Sequence, residues 1–132
     1  MSSVPSYAST PKCGSGQVSV ANTNRDGTGT IATIFSAAAS GSRIDAIDLK
    51  AVGTTTAGMI RLFIHDGAAA RLLTEINVGA VTPSATQPSW EVQLNTNTMT
   101  QVLPLVLPNG YSLRASTEKA ETFNVIAVGG DF

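Results

Sequence analysis

Residues 41–67 read GSRIDAIDLKAVGTTTAGMIRLFIHDG. Two β-rich runs flank a Gly/Thr turn at residues 53–58. Side chains along a strand alternate with a period of two. In the second run Ile60, Leu62 and Ile64 therefore fall on one side, and Met59 and Phe63 on the other. An antiparallel strand of a small sandwich ordinarily buries one face and wets the other. Here both faces are apolar, so the pattern predicts a cover for the second one. That cover is either another copy of the protein or another part of the same sandwich. In the first run, residues 42–52, the apolar phase shifts near Ala46 and Ile47, the mark of a β-bulge.

The same texture continues in both directions. Residues 17–21, 30–36, 71–78, 89–94, 101–107, 111–116 and 122–128 read as short strands between turn clusters. Leu72, Ile76 and Val78 share one face. Trp90, Val92 and Leu94 point inward, with Glu91 and Gln93 outward. Phe123 and Val125 oppose Ile126 and Val128. Pro104 confines its run to an edge or a bulge, because proline cannot donate to a ladder. No segment sustains a helical period, and the alanine runs near residues 38 and 69 are too short to nucleate a helix. The expectation is an all-β, antiparallel β-sandwich of about eight strands, jelly-roll-like. The Cys–Trp–Cys core of antibody domains is absent. Residues 1–16 are rich in Ser, Pro and Gly and are expected to form a flexible or extended N-terminal arm, with residues 17–132 as one sandwich domain.

Composition narrows the function classes. A chain of 132 residues fits one domain. Charged residues make up 13%, against about 25% in an average soluble domain, so Ser, Thr, Asn and Gln must build much of the surface. The net charge is −1 and no Lys/Arg cluster occurs, which removes the electrostatic basis for nucleic-acid binding. No apolar run approaches the ~20 residues of a membrane helix. The first residues lack the basic start and apolar centre of a signal peptide, so synthesis in a cytoplasm is expected.

The equipment for chemistry is thin. His65 is the sole histidine and sits beside the turn dipeptide Asp66-Gly67, without the convergent partners that triads and metal sites need. Asp45 and Asp48 fall on opposite faces of a strand unless a bulge intervenes. Asp26 lies in an oxygen-rich loop that lacks the spacing of a calcium loop. Gly27 to Ala32 match G-x-G-x-x-A by letter, but no helix is expected to follow. Ser9 to Lys12 match S-x-x-K by letter within the arm. Cys13, the single cysteine, has only Lys12 nearby to lower its pKa. Trp90 shares its phase with core residues, and aromatics total 5%, which is thin for a sugar platform. The expectation is a non-enzyme with no cofactor and no metal. The surplus apolar residues Met59, Phe63, Ile126, Val128 and Phe132, with Arg61 between the first two, suit a protein–protein surface.

Three stretches carry a resemblance: Gly41-Ser42-Arg43-Ile44-Asp45-Ala46-Ile47 with Gly58-Met59-Ile60-Arg61-Leu62-Phe63-Ile64; Leu103-Pro104-Leu105-Val106-Leu107-Pro108-Asn109-Gly110-Tyr111-Ser112-Leu113; and the closing Val125-Ile126-Ala127-Val128-Gly129-Gly130-Asp131. Together they resemble small virion proteins of tailed bacteriophages. The resemblance implies a capsid decoration, or cement, protein of jelly-roll type. Such a protein sits on the outside of the head as a homotrimer, contacts the major capsid protein and bridges capsomers. It also implies an arm, with Val4, Pro5, Tyr7 and Pro11, reaching onto the shell. The alternatives are a tail or head-fibre module that binds host glycans, or a standalone carbohydrate-binding sandwich.

Overall fold

A computed structural model describes residues 9–95 and 102–132. Among the described residues nine strands run in order: β1 (Thr10–Val18), β2 (Ala32–Ser36), β3 (Ser42–Ala51), β4 (Gly58–His65), β5 (Ala70–Val78), β6 (Glu91–Leu94), β7 (Leu105–Leu107), β8 (Ser112–Thr117) and β9 (Phe123–Asp131). Among the described residues there is no helix. One sheet has the order β1-β9-β3-β6, with β7 also on β3, and the other has β2-β8-β4-β5; every pairing between strands is antiparallel. The pairings are nested. The first strand lies beside the last, β2 beside β8, β3 beside β6 and β7, and β4 beside β5. Wrapping one long hairpin over on itself gives this order.

The inward faces of the two sheets make the core. Ile44, Ile47 and Leu49 of β3 and Phe123, Val125 and Ala127 of β9 meet Ile60 and Leu62 of β4 and Leu113 and Ala115 of β8. Trp90 is buried as its phase predicts and meets Phe123 edge-on, with ring centroids 5.6 Å apart. The alternation of β9 is as read: Ile126 and Val128 face away from the core.

Bulges decide several faces. In β3 the register against β9 shifts between Ile44 and Ala46, one residue before the expected place. Asp45 is the extra residue, and its carboxylate takes Arg43 Nε at 2.6 Å. In β5 a second bulge falls at Leu73, so Leu72 lies opposite Phe63 on the outward face while Ile76 and Val78 stay inward. Leu72 thus does not share a face with Ile76. Leu73 packs toward the core in its place.

Residues 10–16, read as part of the arm, form the start of β1 and pair in register with β9 from Thr10↔Asp131 onward. The open end of β1 is pinned by charge. Lys12 Nζ lies 3.2 Å from Asp131 Oδ1, bonds the Ser36 carbonyl, and sits 4.7 Å above the Phe35 ring. Asp131 also accepts from the buried Ser42 hydroxyl at 2.5 Å. The Ser42 and Lys12 hydrogen bonds hold its carboxyl below the usual aspartate range.

Candidate functional site

The outward face of the β2-β8-β4-β5 sheet carries Met59, Arg61, Phe63 and His65 of β4 beside Ser112, Arg114 and Ser116 of β8. The connection between β1 and β2 folds across it. That loop leaves β8 at Asn22, whose amide donates to the Thr117 carbonyl at 2.8 Å. The buried Asn22 side chain then organises the loop from within. Its Nδ2 donates to the carbonyls of Thr28 and Thr30, each at 3.0 Å, and its Oδ1 accepts from the Asn24 amide at 3.0 Å. An ionic strap ties the loop to the sheet: Glu75 Oε2 takes Arg25 Nε at 2.6 Å and Arg61 Nε at 3.0 Å. Arg61 Nη1 also lies 3.5 Å from the Asn22 carbonyl. The Arg25 and Arg61 contacts hold the Glu75 carboxyl below its usual range, Arg25 having the larger effect.

The second apolar face of β4 is therefore covered from within at its centre. Arg61 is 2% exposed and Phe63 is fully buried, although Phe63 stands outside the inter-sheet cluster. These two residues, expected at a surface between copies, are buried within the single chain, and Arg61 is tied to the loop directly. Met59, nearer the strand's start, stays half-buried.

Where the loop reaches the β4–β5 turn, a cleft of about 370 Å³ opens, lined by Asp26, Gly27, His65, Arg71 and Arg114 among others. Gly27 makes the approach feasible. Its φ is +88°, and a Cβ there would stand 2.4 Å from the Ala70 carbonyl oxygen. His65 Nδ1 accepts from the Gly67 amide at 3.0 Å, so the neutral ring carries its proton on Nε2. Asp26 Oδ1 turns into its own loop, accepting from the Thr28 hydroxyl and amide, which lowers its pKa. Asp66 Oδ1 caps the Ala68 and Ala69 amides, each at 2.9 Å. The G-x-G-x-x-A letters lead into β2, a strand, which removes the helix a dinucleotide site requires.

The outward face of the other sheet is different. Ile126 and Val128 of β9 line a shallow groove of about 270 Å³ with Ala46, Asp48 and Leu94. Val128 is 42% exposed, and Val106 of β7, paired with Arg43 on the same face, is 59% exposed. Asp48 lies in this groove with its Oδ1 buried and without a hydrogen-bond partner among the described residues. Burial raises its pKa, and the neighbouring Glu91 carboxyl adds to the rise. Phe132 is half-buried, its amide bonded to the Gly41 carbonyl at 3.1 Å. Tyr111 packs against the core. Pro11 is exposed on β1, and Cys13 is exposed two residues on, opposite Val128. Val4, Pro5 and Tyr7 lie outside the described residues.

Among the described residues no three His, Cys, Asp or Glu side chains gather as a metal site. Comparison with protein-family models and with curated proteins returns no match. The feature that sequence reasoning missed is the covering loop. Its signal was present: residues 22–29, NTNRDGTG, are dense in side chains that hydrogen-bond their own backbone. Such a loop builds an ordered lid as readily as a solvated turn.

Proposed function

We propose that the chain is a virion structural protein of a tailed phage, a jelly-roll capsid decoration protein that binds the outside of the head and stabilises the shell by bridging capsomers. The nested strand pairing supports the jelly-roll reading, because two interlocked Greek keys pair first with last and inward from there. The observation that carries the functional reading is the contrast between the two outward faces. One has its central apolar residue, Phe63, buried within the single chain on the face that the β1–β2 loop is tied to. The other leaves Ile126, Val128 and Val106 for contact. In this reading that face joins the copies of a homotrimer, and the trimer meets the major capsid protein. A partner that binds only the assembled shell stabilises it by mass action, since its binding energy is lost when capsomers separate. The protein works by contact and carries out no reaction.

The test uses purified protein and shells of the encoding phage stripped of it. Added protein should co-sediment with expanded shells and raise the temperature at which they come apart. Val128→Asp should lose both effects while keeping the fold. Failure of the native protein to bind shells would refute the reading.

A further inference from the structure

The cleft beneath the loop is lined by two arginines and one carboxylate, Asp26. The chain has eight Lys and Arg residues. Lys12, Arg25, Arg43 and Arg61 each pair with a carboxylate. Lys50 reaches the Ser89 carbonyl. Lys50, Arg71, Arg114 and Lys119 have no carboxylate within salt-bridge distance among the described residues. Two of these four, together with the sole histidine, line one recess. They come from three adjacent strands, β4, β5 and β8, so the clustering is a product of the fold and is invisible in the linear sequence.

Each of the two carboxylates near the cleft has one oxygen bonded within the chain. Asp26 spends Oδ1 on Thr28. Asp66, the carboxylate that Arg71 and His65 feel through space, spends Oδ1 on two backbone amides. Arg114 gives Nε to the Ser112 hydroxyl at 3.0 Å, which steadies the side chain and leaves its terminal nitrogens as donors. The inward-turned Nδ1 of His65 leaves Nε2–H as the ring's remaining donor. The cleft thus brings two arginines and the histidine to the rim of one recess, in a space of the size that takes a small molecule.

We propose that this cleft binds an oxyanion: a carboxylate, sulfate or phosphate group carried by a small polar ligand. Arginine suits such groups because its planar fork meets two oxygens at once. The site is separate from the surface used in the proposed function. The sheets pack face to face, so the cleft and the Val128 groove look in opposite directions. Occupancy of one leaves the other open.

His65, as the only histidine, is a built-in reporter. Its ring resonances are followed by NMR while inorganic phosphate, sulfate or acetate is titrated at constant ionic strength, with chloride as the control. A saturable shift is expected with at least one of the three. Response to phosphate and sulfate alone assigns a tetrahedral group, and response to acetate assigns a carboxylate. Arg71→Gln, at an exposed position that keeps the fold, should weaken the response about tenfold, the loss of one charge-assisted hydrogen bond. Arg114→Gln should do the same. Lys119→Gln, at a cation outside the cleft, should change nothing, and neither should Val128→Asp. The proposal is overturned if no anion gives a saturable shift. It is equally overturned if Arg71→Gln leaves the response intact, or if Lys119→Gln weakens it as much, because the binding would then be diffuse.

Discussion

Phe63 and Val128 look alike in the sequence, as apolar residues on the supposedly wet side of a strand, and the structure separates them. Phe63 is fully buried under residues of its own chain, whereas Val128 is 42% exposed. Phe63→Ala should cost about 3–5 kcal/mol of folding stability, the range for emptying a buried phenylalanine site. Val128→Asp should change monomer stability by no more than about 0.5 kcal/mol. Chemical denaturation of both variants checks the pair. Asn22 is the other decisive residue, since one amide group bonds three backbone groups of the loop. Asn22→Ala should cost about 1–3 kcal/mol, because buried backbone groups lose their partners. Amide exchange should quicken across residues 24–30 before it quickens in β8. Asp48 runs the other way. Its raised pKa means that the folded chain holds this proton more tightly than the unfolded chain does. Stability then falls as pH rises from the ordinary aspartate value through the raised one. Asp48→Asn should therefore raise the melting temperature at pH 7 and lose its advantage toward pH 4.

At the scale of elements, strands and turns were legible and registers were less so. Alternation in residues 89–94 and 122–128 gave the correct inward faces because those strands run without interruption. The two-residue period fails at a bulge, and the bulge in β5 moved Leu72 to the other side. The bulge in β3 was visible as a phase shift, displaced by one residue. Beside that bulge Gly129 lies against β3 so closely that a Cβ would stand 1.7 Å from the Arg43 carbonyl oxygen. Gly129→Ala should cost about 3 kcal/mol or more, since backbone must move, and a melt of that variant reads it. Composition concealed most of β1, of which only Gln17 and Val18 fell within an expected strand. Its Gly, Ser and Pro residues carry poor strand propensity, and its place comes from the ladder with β9 and the Lys12–Asp131 contact. Deleting residues 2–14 should accordingly destabilise the domain, because it removes half of a paired strand. The loop strap has its own pH signature. The Glu75 contribution is present above the ordinary glutamate value and is lost as pH falls through the lowered one. Exchange in residues 22–30 should therefore quicken in acid, and Glu75→Gln should show that faster exchange already at pH 7.

For the molecule as a whole, the sandwich could be read from strand spacing, whereas the nesting of its strands could not, because pairing between β1 and β9 spans almost the whole chain. The cleft was unreadable for the same reason: His65, Arg71 and Arg114 meet only after β4, β5 and β8 are side by side. The apolar residues on the two outward faces have different fates. Phe63 is buried within the chain, whereas Val128 and Val106 are exposed. The proposed function covers that exposed pair with further copies of the chain. The molar mass of the purified protein in solution, measured by light scattering on the native chain and on Val128→Asp, bears on this most directly. The account predicts three chains of 13.6 kDa for the native protein and one for the variant. A native protein at the mass of a single chain, or a Val128→Asp variant that assembles like the native one, would contradict it.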